Sequence, residues 1–402
     1  MNFLDKVFSS KPSQREFAEI VITAFEKSGS PGLAYCESDF TLRFPGRNAT
    51  IFLHNSYTSY CEVPRSGRQE VISKLVAGFA SVPEIPSDFA SARKNLMPVI
   101  RDESYEGMMH LMGEGEADDP GLTRQYKPFA RRLLAGLAYD TEHSITSVNF
   151  KTLQAWGVDL DQAFAVAKEN LWDRTRPDGF EGANGVYWSR WADSYDSSRM
   201  LLTELIYRLS VDGDPVAFVP NRDALLVTGT HNIAGLRVIL NAGAESHFKQ
   251  GHPLSPDLFV LDDGVWKHHI PADAELREIW AGMRRQRDGI DYNHQKELLD
   301  KLHEKQDVDI YVAGYQIAQR EGQKAFSICV WSRGVDSLIP VTEQIAFMLD
   351  AEKSDFFTVS WDSTVAVVGD LMEEDPQLIP KRMRVREFPD AQQIAQLRKL
   401  AK

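Results

Sequence analysis

The sequence has few of the features that mark disulfide-stabilised, membrane-spanning or exported proteins. Its 402 residues include only three cysteines, Cys36, Cys61 and Cys329, and no CxxC pair. An odd and widely spaced set of cysteines provides neither a disulfide framework nor a zinc site, so we predict reduced thiols. No apolar run reaches the roughly 18 residues of a transmembrane helix. The N-terminal segment also lacks the apolar core of a signal peptide, and we therefore predict a cytoplasmic protein.

Positive charge is also scarce, since 45 Lys and Arg stand against 58 Asp and Glu and give a net charge of −13. A surface of that sign repels nucleic-acid backbones and anionic membranes, so neither is a predicted partner. The hydrophobic fraction of 43% and the charged fraction of 26% are ordinary for a folded protein. A chain of 402 residues exceeds one typical domain of about 100–200 residues, which predicts two to three modules.

The motifs that identify common reaction classes are missing as well. The sequence contains no Walker loop, nucleophile elbow, HExxH motif or EF-hand loop. We therefore predict no cofactor and no metal ion. Catalysis stays undecided, but the lack of a catalytic motif favours a non-enzymatic protein-binding or adaptor role, with another protein as the partner.

Hydrophobic periodicity predicts an α+β fold of small, mainly antiparallel sheets covered by helices. The N-terminal part reads as helix, three strands and helix, closed by the strand LMPVIRD. The predicted units are an N-terminal module, a central α+β domain, a helical connector and a C-terminal α+β module, over residues 1–105, 125–272, 273–306 and 307–402.

Local composition predicts the structure of a loop, of the connector and of the C-terminal strands. The segment from Gly107 to Gly121 is rich in glycine and acid and predicts an exposed loop. In the connector, the spacing of the apolar residues predicts a helix from Ala274 to Gln306 with a break near Gly289. In the C-terminal module, DIYVAGYQIA, AFSICVWS, FFTVSW and TVAVVGDL are rich in β-branched and aromatic residues and predict strands.

Two central segments concentrate polar residues beside apolar runs, WADSYDSSRMLL from Trp191 and FVPNRDALLV from Phe218. In the first, Asp193 or Ser194 can cap a helix, with a capping box completed three residues later, and Met200 and the following leucines can cover its buried face. In the second, a turn can join two hairpin strands. These structural interpretations account for every charge.

A functional interpretation of the same two segments stays open. A helix N-terminus with added hydroxyl groups can bind an anion, and a neighbouring turn can contribute an arginine. This alternative predicts a small-molecule enzyme or sensor that binds an anionic ligand. Its candidate ligand-binding residues are Asp193, Asp196, Arg199, Asn221, Arg222 and Asp223, and no residue is assigned a catalytic role.

Other clusters give weaker signals. His252, His268 and His269 lie near the hairpin DLFVLDDGVWKHH, but their spacing does not match a metal-ligand pair. The segment PKRMRVREF predicts a strand with Arg382, Arg384 and Arg386 on one face. Salt-bridged or solvated arginines are favoured there over phosphate or RNA binding, because acidic residues precede the segment.

The central segments also resemble a known family in their order and spacing. PVIR at 98–101, the stretch 137–171, DSYDSSRMLL at 193–202 and VAFVPNRDALLV at 216–227 are similar to the YtpQ family of bacterial proteins, a family without an assigned function. The resemblance covers about residues 95–270. It implies a cytoplasmic α+β protein and supplies no catalytic residues.

Overall fold

The structure is a computed structural model that describes residues 11–37, 40–44, 50–80, 85–113, 125–141, 144–176, 178–249, 251–350, 352 and 355–401. It confirms the α+β class, with small and mainly antiparallel sheets covered by helices. No helix within these ranges combines the length and the apolarity needed to cross a membrane.

The N-terminal part begins with a helix whose start is fixed by a capping box between Ser13 and Glu16. Phe17, Val21 and Phe25 follow at helical spacing and are fully buried against a three-stranded antiparallel sheet. The predicted order of helix, strands and helix is confirmed, and two helices follow the sheet instead of one. The elements are α1 (Gln14–Lys27), β1 (Ala34–Cys36), β2 (Thr41–Arg43), β3 (Thr50–Phe52), α2 (His54–Glu62) and α3 (Arg65–Ala80).

A second antiparallel sheet follows, in which β6 pairs with β4, β5 and β7. β4, predicted to close the N-terminal module, pairs instead with β6, from Leu96 opposite Tyr139 to Asp102 opposite Leu133. The loop predicted from Gly107 to Gly121 is wrong for residues 107–113, which belong to helix α5. Residues 114–124 lie outside the described ranges. The elements are α4 (Phe89–Ala92), β4 (Leu96–Asp102), α5 (Glu103–Gly113), β5 (Tyr126–Ala130), β6 (Leu133–Asp140), β7 (Ile145–Ser147), α6 (Phe150–Trp156) and α7 (Leu160–Arg174).

The central sheet has six antiparallel strands in the order β13-β12-β10-β11-β9-β8. Its β12–β13 hairpin turns at Asp263 and Gly264, whose φ angles of 53° and 77° suit a two-residue turn. Leu137 and Phe259 belong to one buried cluster, so this sheet shares a core with the preceding one. The elements are β8 (Phe180–Ala183), β9 (Val186–Ser189), α8 (Thr203–Ile206), β10 (Pro215–Phe218), β11 (Leu226–Gly229), α9 (Ile233–Lys249), β12 (Leu258–Asp262) and β13 (Val265–His269).

The connector is a single helix, α10 (Ala274–Gln306), of 33 residues, which starts where the Asp273 side chain accepts hydrogen bonds from two backbone amides. The predicted break near Gly289 is wrong. A glycine inside a helix costs about 1 kcal/mol, but Tyr292 and Gln295 are buried beyond it and anchor the continuing helix.

The C-terminal part contains two four-stranded sheets, β15-β16-β18-β19 and β14-β17-β21-β20, around a core that includes Trp331 and Phe347. TVAVVGDL was predicted as a strand and is a helix instead, because Ser360 caps it and one face packs inward at Thr364 and Val368. β17 and β18 were not predicted. The elements are β14 (Tyr311–Val312), β15 (Gln316–Ala318), β16 (Phe326–Ser332), β17 (Ser337–Pro340), β18 (Gln344–Asp350), β19 (Asp355–Ser360), α11 (Trp361–Val368), β20 (Glu373–Glu374), β21 (Arg382–Val385) and α12 (Ala391–Leu400).

Candidate functional site

The stretch around Asp193 is not the capped α-helix that its sequence suggests. Residues Ser197–Leu201 form a 3-10 helix, and Asp196 at its N-cap makes no capping hydrogen bond. The carboxylate of Asp193 instead accepts a hydrogen bond from the Tyr195 amide at 3.1 Å. The predicted capping box is therefore wrong, although the predicted burial of Met200 is confirmed.

Arg199 explains this difference, because it binds the Asp193 carboxylate, which the predicted helix cap would have used. Its guanidinium donates to both oxygens of Asp193, at 2.9 and 2.8 Å, and to Thr175 at 3.0 Å. It also lies 4.1 Å from the Trp191 ring centroid and has no exposed surface. Burial acts to raise the pKa of Asp193, but the Arg199 hydrogen bonds hold it below its ordinary value. An anion could reach Arg199 only by displacing Asp193.

The second segment forms a turn beside the first, and the predicted hairpin of β10 and β11 is confirmed. The Ser197 amide donates to the Arg222 carbonyl at 3.1 Å, so the two segments are neighbours in space. Asn221 accepts from the Asp223 amide at 2.9 Å. Arg222 donates to the Asp223 side chain at 3.1 Å. The structure thus brings the predicted residues together, but their charges pair within the cluster.

Asp196 is the member of this set with the fewest partners. Its carboxylate is buried and makes no hydrogen bond of normal geometry within the part of the chain that the structure describes. Burial raises the pKa of Asp196, and the nearby Ser189 hydroxyl offsets part of that effect. A buried carboxyl with few donors favours its neutral form.

The weaker candidates of the sequence take structural positions. Arg384 pairs with Asp336 at 2.8 Å, and Arg386 pairs with Glu373, as predicted for salt-bridged arginines. Arg382 is instead fully buried, and its side chain cannot reach a phosphate from outside. Among the described residues, no group of three or more histidine, cysteine, aspartate or glutamate side chains is placed to hold a metal ion.

A buried network of charged residues lies elsewhere, and the sequence did not reveal it. Arg287 on α10 donates to Asp291 at 2.8 Å and also to Asp102 at the end of β4. Arg132, between β5 and β6, donates to Asp291 at 2.7 Å and to Asp288. The network therefore ties the β4–β7 sheet to the helix that leads into the C-terminal part.

Two sequence signals could have located this network. Arg287 and Asp291 stand four residues apart on a predicted helix, the spacing of an ion pair. Arg284 and Asp288 repeat that spacing one turn earlier. The partners Asp102 and Arg132 are far away in sequence, and no local pattern indicates them.

His247 on α9 packs against this network and gives it a pH-dependent contact. Its Nδ1 lies 2.7 Å from the Pro220 carbonyl oxygen and donates to it, so Nε2 faces the Arg287 guanidinium at 3.4 Å. Burial, followed by the charge of Arg287, lowers the pKa of His247 from 6.5 to about 4. The folded protein therefore holds this imidazole neutral.

A stability measurement checks this arrangement. The unfolded chain binds a proton at His247 near pH 6.5, whereas the folded chain does so only near pH 4. The contribution of the neutral His247 to the free energy of unfolding is therefore fully present above pH 6.5 and is lost as the pH falls toward 4. Over that range we expect His247 to lower the free energy of unfolding by roughly 1 kcal/mol for each pH unit of acidification. In His247→Gln the fall between pH 6.5 and pH 5 should be shallower, as urea denaturation would show. Equal slopes in both proteins would contradict the assignment, because the other titrating groups are common to both.

A groove of about 910 Å³ runs between α1 and α3. Its apolar floor includes Ile20 and Ala24 from α1, and Ile72 and Val76 from α3. Ile20, one of the residues of this floor, remains 38% exposed. A concave, partly apolar groove of this volume is a candidate binding surface.

Charged side chains of both signs line this groove, Arg68 and Lys27 toward its ends and Glu16 and Glu19 along α1. Arg68 stacks on Tyr60 at 4.9 Å, and its Nε has no hydrogen bond within the described ranges. Lys27, in the last turn of α1, also makes no ion pair with a described residue. Of the two carboxylates, Glu19 pairs with Arg15 at 3.6 Å in an exposed contact, and Glu16 forms the helix cap and keeps its negative charge. Lys27 and Arg68 against Glu16 therefore leave one positive charge in excess along the groove.

Comparisons with known proteins place the chain beside an uncharacterised group of bacterial proteins. It is 28% identical over 183 residues to a UPF0354 protein of Bacillus cytotoxicus, which covers 43% of this chain and 62% of the relative. It is 27% identical over 208 residues to UPF0354 proteins of Bacillus thuringiensis and Bacillus anthracis, which covers 48% of this chain and 67% of each relative. The chain thus spans a little over three fifths of the first relative's length. No family model and no solved structure matches the chain. It is similar to the UPF0354 proteins over somewhat less than half of its length.

Proposed function

We propose that the chain is a non-enzymatic, cytoplasmic protein-binding module, and that the groove between α1 and α3 binds an acidic amphipathic helix of a partner protein. The observation that carries the proposal is a groove that combines apolar residues, among them the 38% exposed Ile20, with Arg68 and Lys27 toward its two ends. Helix-in-groove binding uses an apolar stripe for affinity and flanking charges for orientation.

The dimensions of the groove set the length of its occupant. Arg68 lies at the start of α1, because it stacks on Tyr60, whose ring is 5.1 Å from Phe17. Lys27 lies in the last turn of α1. The ten residue steps from Phe17 to Lys27 span about 15 Å at 1.5 Å per step, so a helix of about three turns covers the groove.

The charge pattern selects acidic rather than basic partners. A glutamate near each end of the bound helix would meet Arg68 or Lys27, whereas a lysine there would face a like charge from those two residues. The net charge of −13 acts against an acidic partner at long range, so its binding would depend on these local contacts in the groove.

The test is a titration of the full chain with labelled synthetic peptides, followed by fluorescence polarisation. The acidic probe has about 16 residues, with leucines at i, i+3, i+4 and i+7 and glutamates on the flanks. A scrambled peptide and a lysine version serve as comparisons. We expect the acidic probe to bind, with Kd raised at least about tenfold by Ile20→Glu and by Arg68→Glu.

The matched control is Val238→Glu, which places the same acid on α9, at an apolar residue that is 48% exposed and outside the groove lining. This variant should bind the acidic probe as the original chain does. Equal binding of the acidic and scrambled peptides would refute the proposal. So would an unchanged Kd in Ile20→Glu.

A further inference from the structure

Asp257, the residue before β12, is buried beside the outer edge of the charged network and has three basic neighbours. Arg131 Nε is 3.4 Å and His268 Nε2 is 3.4 Å from its carboxylate, and Arg284 Nε is 3.9 Å away. Asp257 has no exposed surface, yet neither of its oxygens makes a hydrogen bond of normal geometry with a described residue. The three basic side chains therefore lie near one carboxylate and form no hydrogen bond of normal geometry with it.

Rigid elements hold these side chains in place. Arg131 and Arg132 form the two-residue tip of the β5–β6 hairpin, and Arg132 has a φ of 63°. A left-handed conformation costs a non-glycine residue about 1 kcal/mol or more. The ion pairs of Arg132 with Asp288 and Asp291 offset that cost and fix the hairpin tip. Arg131, the neighbouring residue, is thereby fixed beside Asp257.

The charges of the network balance over the whole set, because four arginines face four aspartates. In its inner part Arg287 and Arg132 pair with Asp102, Asp291 and Asp288. At its outer edge Arg131 and Arg284 share the carboxylate of Asp257, at 3.4 and 3.9 Å, and Arg284 is also 3.9 Å from Asp288.

Two of these arginines reach solvent with free donors. The side chains of Arg131 and Arg284 are 44% and 28% exposed, and neither donates a hydrogen bond to any residue that the structure describes. Burial lowers the pKa of Arg131, and the nearby Asp257 carboxylate offsets part of that effect. Trp280 lies under both Arg284, at 5.2 Å, and His268, at 5.5 Å, and gives the cluster an apolar floor.

We propose that Arg131, Arg284 and His268 form a binding site for a small oxyanion, a carboxylate or phosphate group, with Asp257 as the residue that positions them. A guanidinium presents five donors in a fork that matches two oxygens of such a group. Two arginines that share one carboxylate at 3.4 and 3.9 Å keep donors for such a group. This site lies on the hairpin tip, β12, β13 and α10, away from the groove proposed for the partner helix.

The test is isothermal titration calorimetry of the full chain with inorganic phosphate and, separately, with acetate, against sodium chloride at matched ionic strength. Saturable binding of either anion, beyond chloride, is expected, and the two arms tell a phosphate site from a carboxylate site. Arg131→Gln should raise Kd at least about tenfold, the loss expected when a charge-assisted contact is removed. The control Lys305→Gln removes one exposed positive charge from the same helix and should leave Kd unchanged.

A second variant separates loss of the site from loss of the fold. Arg284→Gln should weaken anion binding as Arg131→Gln does, and both proteins should keep the original melting temperature in chloride. No saturable binding of either anion at low salt would overturn the proposal. So would binding that Arg131→Gln and Lys305→Gln weaken equally, because such binding would follow general charge only.

Discussion

Replacing Arg287 with methionine is expected to lower the free energy of unfolding by about 3–5 kcal/mol, the usual cost of leaving a buried ion unpaired. Arg287 is 4% exposed and donates to Asp102 and Asp291, which are themselves buried. Asp102 has no other ion-pair partner among the described residues. Urea denaturation of the full chain, followed by tryptophan fluorescence, measures the loss.

Arg284→Met is the matched control, because it removes the same charge three residues earlier on α10. Arg284 is 28% exposed and lies 3.9 Å from its acidic partners, so we expect a loss below about 1 kcal/mol. Adding Asp102→Asn to Arg287→Met should recover part of the stability, since it removes the unpaired charge. A loss below 1 kcal/mol in Arg287→Met itself would show that water reaches the network.

Replacing Arg382 with methionine is expected to cost about 3 kcal/mol or more, because several buried acceptors lose their donor together. Arg382 donates to Gln295 at 2.7 Å and to the carbonyl oxygens of Ala313, Leu338 and Tyr292 at 2.8–3.0 Å. Burial lowers its pKa to about 10, so it remains charged at neutral pH. Urea denaturation measures this loss as well.

Arg384→Met provides the comparison on the same strand. Arg384 pairs with Asp336 at the surface, where each side chain is about 30% exposed, and its loss should cost less than about 1 kcal/mol. Arg382→Lys should fall between the two, since one ammonium group cannot reach all the acceptors of a guanidinium. Equal stability of Arg382→Met and Arg384→Met would contradict a structural role for Arg382.

Local sequence chemistry predicted a large part of the fold. The N-terminal helix was predicted, and a capping box between Ser13 and Glu16 fixes its start. The hairpin DLFVLDDGVWKHH was also predicted, and a turn at Asp263 and Gly264 closes it. The ends of α10 were also predicted, although not its continuity through Gly289. In each of these cases the deciding contacts lie within a few residues of each other, where a pattern can be recognised.

Side-chain contacts that composition does not reveal decided the places where the sequence misled. TVAVVGDL has the composition of a strand, but capping by Ser360 and packing of Val368 make it a helix. The stretch at Asp193 has the composition of a capping box, but Arg199 takes the Asp193 carboxylate from six residues away. The partners of Arg287 and Arg382 lie on other elements, which a single sequence does not identify.

The most direct measurement of the proposed function is a charge-swap titration of the groove. The basic version of the amphipathic peptide should bind the original chain poorly, because its lysines meet Arg68 and Lys27. In a chain carrying Arg68→Glu and Lys27→Glu, the preference should reverse, and the basic peptide should bind at least about tenfold more tightly than the acidic one. If both peptides keep the same order of affinity in the swapped and original chains, the groove is not the surface that selects the partner.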